Sequence, residues 1–136
     1  MDEEKKVEVV AVVKPEEVTF PEGTPQFALV SFLENWKQAK YDEMLKYTQA
    51  TWRETVPSAG EILKRMFAFK PQMIIVRAQR QLSPIVYEAD IQVRFYIARE
   101  VVKENQVTVR VLKEEGPLAP SEKGTWGVNP PSAYVC

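Results

Sequence analysis

Histidine is absent from this chain of 136 residues, and cysteine occurs once, at the last position, Cys136. The first absence removes the commonest general base near neutral pH and the commonest metal ligand. The second leaves no internal disulfide, and a terminal thiol is a poor foundation for a nucleophile. Ser-His-Asp, Cys-His and zinc sites in their usual forms are therefore excluded, and neither a metal nor a cofactor is expected. A disulfide-free domain is stable in either redox compartment. Long apolar runs are also missing: nothing approaches the ~20 apolar residues of a membrane helix. The longest candidate, Val7 to Val13, is interrupted by Glu8. The start, Met1-Asp2-Glu3-Glu4-Lys5-Lys6, has no apolar signal-peptide core. The expected location is therefore cytoplasmic, or extracytoplasmic if a signal or anchor has been removed ahead of this stretch. Nor is there a charge excess. Against 19 acidic residues stand 18 basic ones, a net charge of −1, which leaves no electrostatic footprint for nucleic acid.

What remains is ordinary globular material, 45% apolar and 27% charged. The length predicts one domain, large enough to bury about two-thirds of its unfolded surface without a staple. Residues 1–23 read as an extended N-terminal arm: a charged tail, a β-branched stretch from Val7 to Val13 that suggests a short strand, then Pro15, Pro21 and Gly23. Thr24-Pro25 is a helix start, an N-cap followed by proline at the first helical position. Ala28, Leu29, Phe32, Leu33, Trp36 and Ala39 then share one face of a helix from Thr24 to Ala39. Asp42 is placed to cap a second short helix carrying Met44, Leu45 and Thr48. Ser58-Ala59-Gly60-Glu61 has capping-box spacing and opens a third, with Ile62, Leu63, Met66 and Phe67 on one side.

At Pro71 the period changes to strict alternation. Ile74, Val76 and Ala78 share one strand face. Next, Tyr87, Ala89, Ile91, Val93, Phe95 and Ile97 form one row and Glu88, Asp90, Gln92, Arg94 and Tyr96 the other. Glu104-Asn105 reads as a turn, Val107, Val109 and Val111 as a further strand, and Lys113 to Thr125 as a loop. Trp126 and Val128 start a last strand stopped by Pro130-Pro131. The predicted class is α+β: three N-terminal helices packed on a strongly curved, four- to five-stranded antiparallel sheet, cone-like because strands this long twist and coil.

The phrase Phe32-Leu33-Glu34-Asn35-Trp36-Lys37-Gln38-Ala39-Lys40-Tyr41-Asp42-Glu43-Met44, a third helix before the strands, and a closing Gly124-Thr125-Trp126-Gly127-Val128 resemble the nuclear transport factor 2-like superfamily. The likeness runs from about Thr24 to Val135, so residues 24–136 form the domain it implies. It implies a cone-shaped α+β fold. It is almost silent about function, because that superfamily holds isomerases, dehydratases, cyclases, transport adaptors and accessory domains. The nearest flavour is the extracytoplasmic accessory domain of bacterial lipoproteins and of some penicillin-binding proteins, and fold does not carry function with it.

An isomerase or cyclase of that kind needs a carboxylate base on a strand and a tyrosine for the developing oxyanion. Asp90 with Tyr41 or Tyr47 is the set this chain offers. The alternation places Asp90 with Glu88, Gln92 and Arg94, away from the apolar row, unless a β-bulge reverses its facing. The dehydratase type resembles a His-dependent site, which this chain lacks. Trp36, Tyr41, Met44, Trp52, Met66, Phe67, Tyr87 and Phe95 are candidates to line a pocket for a small apolar ligand, against the plainer reading that they are core. Glu88, Asp90, Gln92, Arg94 and Tyr96, with neighbours Arg77, Gln79, Thr108 and Arg110, form a mixed-charge face suited to a two-fold homodimer interface. The expectation is a non-catalytic cone-fold domain serving protein interaction, self-association or small apolar ligand binding. The alternative is an enzyme with Asp90 as general base.

Overall fold

The chain is described by a computed structural model over residues 7–8 and 20–134. The strand expected to run on to Val13, and Cys136, fall outside these residues. The elements are β1 (Val7–Glu8), α1 (Pro25–Lys37), α2 (Tyr41–Leu45), α3 (Ala50–Thr55), α4 (Ala59–Met66), β2 (Met73–Ser83), β3 (Val86–Ile97), β4 (Glu100–Gly116), β5 (Ala119–Pro120), β6 (Thr125–Val128) and α5 (Pro130–Ala133). The class is α+β.

The first helix starts where its residues dictate. Thr24 takes extended backbone (φ −104°, ψ 154°), its Oγ1 accepts from the Phe27 N–H at 3.2 Å, and Pro25 follows with φ already set. Its buried stripe is Pro25, Ala28, Leu29, Phe32, Leu33 and Trp36. The later helices depart from expectation. Among the described residues four helices precede β2 rather than three, because Thr48 leaves the second helix to bridge Val128 and a new short helix, α3, begins at Ala50. Lys40, not Asp42, holds the cap position of α2; Asp42 lies in the first turn, where its charge suits the helix dipole. The Ser58 capping box does not form. Ser58 has left-handed backbone (φ 54°, ψ 46°), which turns its hydroxyl away from the N–H groups of α4.

The sheet runs β1-β2-β3-β4-β5, with β6 also on β4; every strand pair is antiparallel and the sheet is open. Among the described residues it has six strands, five of them on the main path, against the four to five predicted. The extra one is Ala119–Pro120, inside the stretch expected as a loop, which doubles back onto Glu114 and Gly116. The expected turn at Glu104-Asn105 is mid-strand, paired with Arg94 and Val93. The chain instead reverses at Ala98-Arg99, where both residues have positive φ (53° and 72°), the pattern of a type I′ hairpin turn. Left-handed backbone costs a non-glycine residue about 1–2 kcal/mol, and the long β3–β4 pairing offsets it.

A bulge corrects the facing of β2. Val76 pairs with Ile91 but Ala78 pairs with Asp90, so Arg77 is the extra residue. Ile74 and Val76 stay with the core, whereas Ala78 crosses to the other face and Gln79 turns inward, where it accepts a hydrogen bond from the Tyr87 hydroxyl. The core gathers the α1 stripe, Met44, Leu63 and Phe67 with Tyr87, Ala89, Ile91 and Val93 of β3, Val109 and Val111 of β4, and Trp126 and Val128 of β6. Gly127 permits one close approach. A Cβ there would stand 2.5 Å from Gln49 Cα and Thr48 O. Beside it the Gln49 N–H donates to Val128 O (2.8 Å) and the Val128 N–H to Tyr47 O (2.7 Å).

Candidate interaction face

The two rows of β3 create two chemically distinct places. On the core side lie most of the residues proposed for an apolar pocket. Trp36, Met44, Phe67 and Tyr87 are fully buried, Trp52 is buried at the margin, and Tyr41, Met66 and Phe95 pack against them. Phe67 meets the ring of Trp36 edge-on at 5.0 Å and that of Phe32 at 5.5 Å; Phe95 lies 6.3 Å from Trp36. The polar tips of Trp36, Tyr41 and Tyr87 are already engaged. Trp36 Nε1 donates to Phe67 O (3.1 Å) and Phe69 O (3.0 Å), and the Tyr41 hydroxyl donates to Phe67 O (2.6 Å). Partial burial pushes the Tyr41 hydroxyl above the ordinary phenol pKa. These bonds tie α1 and α2 to the link between α4 and β2, which is a structural task.

The residues of the catalytic alternative are not brought together. Asp90 is on the far side of the sheet, paired with Ala78 and Thr108. Tyr41 and Tyr47 pack on the core side, Tyr47 with its ring 5.9 Å from Phe27. No bulge reverses β3 at Asp90, because the irregularity in β2 is taken up at Arg77 and that between β3 and β4 lies at Phe95/Tyr96.

The outer face carries a polar lattice built of two neighbouring networks. In one row Arg80, Glu88 and Arg110 sit side by side across β2, β3 and β4. Glu88 Oε1 accepts from Arg80 Nε at 3.2 Å, and Glu88 Oε2 accepts from Arg110 Nη2 at 2.7 Å. Arg80 also forks onto Asp90, with Nη2 to Oδ1 at 2.9 Å and Nη1 to Oδ2 at 3.1 Å, and Thr108 donates to the same carboxylate. Further along, Arg77 donates to Gln92 Oε1, Gln92 Nε2 to Glu104, and Arg94 Nε to Glu104 at 2.6 Å. The Asp90 bonds hold Arg80 above the ordinary guanidinium pKa, and the Arg94 bond holds the Glu104 carboxyl below the ordinary carboxylate value.

Two members differ from expectation. Glu88 and Gln92 are buried within the single chain, at 8% and 6% exposure, rather than turned to water or a second copy. The flanking arginine stems cover them, as long cationic side chains commonly do. Gln79, expected among the neighbours, is on the core side. Asp90, Arg94 and Tyr96 remain partly accessible and Arg110 is exposed.

A second polar cluster was hidden in the charged run Lys113-Glu114-Glu115. Glu114 is buried at 7% exposure. Its Oε1 accepts from the Thr51 backbone N–H (2.9 Å) and its Oε2 from Thr51 Oγ1 (2.6 Å) and Gln49 Nε2 (3.1 Å). Gln49 holds the cap position of α3 but makes no side-chain cap bond. Glu114 therefore caps α3 from another part of the chain. Thr51 Oγ1 in turn accepts from Leu118 N–H, and Asn129 Nδ2 donates to Gln49 Oε1, so the clasp also holds the β4–β5 turn and the end of β6.

No helix among the described residues is long and apolar enough to cross a membrane. No family model matches the sequence, and it matches no curated protein. The fold is similar to a crystal structure of a SEC-C motif containing protein from Psychrobacter arcticus, with a TM-score of 0.57 at 10% sequence identity. The alignment covers 86% of this chain and 65% of that one, so the present chain spans less than two-thirds of the neighbour. At that identity the likeness concerns the fold alone.

Proposed function

We propose that this chain is a non-catalytic interaction domain of the nuclear transport factor 2-like type, with the helices held in the curve of a cone-like sheet and the outer sheet face as its working surface. Its ligand is another protein. The observation that carries this reading is the outer lattice, in which four arginines (Arg77, Arg80, Arg94 and Arg110) and three carboxylates (Glu88, Asp90 and Glu104) are fixed across three strands. A partner meeting such a face finds its charges already oriented, so little side-chain entropy is lost on contact. Alternating charge sign favours specificity over non-specific attraction. The polar tips of Trp36, Tyr41 and Tyr87 are already engaged within the chain, and Asp90 stands apart from both candidate tyrosines. Both facts favour the outer face over an inner ligand or reaction site.

A photo-reactive amino acid at Arg77 tests the proposal, with one at the exposed Lys64 of α4 as control. Irradiation in cells of the source organism is expected to give discrete protein adducts from position 77, lost when Arg80→Glu is added, and none from 64. Equal labelling from the two positions would overturn the proposal. So would isomerase activity that disappears with Asp90→Asn.

A further inference from the structure

We infer that the edge of β4 from Glu104 to Thr108 is a self-association site, pairing antiparallel with the same edge of a second copy about a two-fold axis at Gln106. The inference does not depend on the outer face being a docking surface.

The backbone groups of β4 point to two sides of the strand. On one side β4 is paired with β3 along its length, from Leu112 opposite Val86 to Glu100 opposite Ile97. On its other side β6 covers Val111 to Glu114 and β5 covers Glu114 and Gly116. At Arg110 the chain's own C-terminal turn takes over: the Arg110 N–H donates to Ser132 Oγ (2.8 Å), and Arg110 O accepts from the Asn129 N–H (2.8 Å). Arg110 therefore directs its backbone groups away from β3. In an antiparallel ladder that direction recurs every second residue, and the pairing from Arg110 to Glu104 is regular. Thr108, Gln106 and Glu104 thus present their N–H and C=O groups to the same open edge, and among the described residues none of these groups has a partner there.

Both ends of the stretch are fixed by the chain itself. At Arg110 the Asn129–Ser132 turn closes it. Beyond Glu104 the bulge between Lys103 and Val101 breaks the regular register. Between them lie five residues of straight strand, about 17 Å at the usual rise. Exposed edges of this kind are ordinarily blunted by proline or by charges standing over them. Here Asn105, Gln106, Val107 and Thr108 are uncharged, and the one acid, Glu104, is drawn down onto the outer face by Arg94 and Gln92.

Self-pairing is the occupant that the side chains favour. With Gln106 opposite its own copy, Glu104 falls opposite Thr108 of the second copy, and the three edge-directed residues of each chain all find partners. An amide both donates and accepts, so Gln106 is complementary to itself. Glu104 lies diagonal to Arg110 of the second copy, within reach of so long a side chain. Arg110 is suited to this because it holds Glu88 through Nε and Nη2 and is otherwise exposed. The assembly joins two sheets edge to edge and leaves both outer faces uncovered, on one continuous surface.

Sedimentation velocity on the full chain tests the inference, across concentrations from about 1 µM to about 1 mM. The wild type is expected to form a dimer within that range. Gln106→Pro removes an edge-directed N–H without touching the β3 ladder, and is expected to weaken the dimer by at least about tenfold. Gln106→Lys, a substitution at an exposed site, sets like charges at the axis and is expected to do the same with an unchanged circular dichroism spectrum. If Gln106→Pro fails to fold, Gln106→Lys decides alone. A monomer at every concentration overturns the proposal. So does a dimer that survives both Gln106 variants, or one that binds an extended peptide along β4 in place of its own copy. Dispersal by Arg80→Glu with both Gln106 variants still dimeric would move self-association to the outer face.

Discussion

The two faces of β3 are made from alternate residues of one strand, and they are held in place by different physics. Tyr87, Ala89, Ile91 and Val93 are each no more than 2% exposed and contribute mainly by leaving water, about 25 cal/mol per Å2 of apolar surface. Glu88 and Gln92, one residue out of phase, are nearly as buried at 8% and 6%, but burial alone costs a polar group free energy. They persist because each is bonded: Glu88 to arginines on both flanking strands, Gln92 to Arg77 and Glu104. An apolar row needs only filled space around it. A polar row needs specific partners in register, and its worth is readable only by removing one of them.

The apolar row is the more costly of the two to disturb. Ile91→Ala opens a cavity among Val76, Val107 and the helices and is expected to cost about 2–5 kcal/mol by urea denaturation. A loss below about 1 kcal/mol would mean that the inner face is not the main source of stability. Next comes Glu88→Ala. It leaves Arg80 and Arg110 facing a vacated site in a half-buried row, and about 1–3 kcal/mol is expected. If Glu88→Ala matched Arg110→Ala, the row would be a set of independent surface pairs rather than a lattice. Arg110 is itself 55% exposed in its side chain, so Arg110→Ala is expected to cost under about 1 kcal/mol. Between these, Glu114→Gln keeps shape but weakens the acceptor at the head of α3, with an expected loss of about 1–2 kcal/mol. Faster amide exchange confined to α3 and the turn at Leu118 would distinguish this clasp from global softening.

Much of the architecture was legible because periodicity reports burial. The α1 stripe and the alternation from Tyr87 to Val93 each have many residues agreeing on one direction, so a single exception does little damage. The failures lie where one residue decides. A bulge at Arg77 reverses Ala78 and Gln79, and nothing in Val76-Arg77-Ala78 announces an inserted residue. The hairpin reverses at Ala98-Arg99, two residues with no reputation for left-handed backbone, while the better turn formers Glu104-Asn105 remain in the strand. There the global pairing of β3 with β4 overrides local preference. Glu114 was illegible for a further reason. In a run of charged residues no pattern tells the buried carboxylate from its solvated neighbours, because its partners, Gln49 and Thr51, are far away in the chain. The outer face was legible as a set of residue types but not as a lattice, since cross-strand register selects which arginine meets which acid.

The smallest expected effect is the most diagnostic of the outer face. The Glu104 carboxyl is held below its ordinary pKa, first by the hydrogen bond from Arg94. A carboxylate depressed in the folded state stabilises the fold fully above its unfolded pKa, and that contribution fades as pH falls through the lower folded value. Glu104→Gln should therefore lower stability slightly at neutral pH. The difference from wild type should shrink on acidification below roughly pH 4.5 and vanish once the carboxyl is protonated in both states. Urea midpoints for the two chains between about pH 7 and pH 3 follow this directly. Convergence at low pH assigns the contribution to the charge on Glu104. A gap that stays constant would assign it to packing, and the outer row would then resemble the inner one after all.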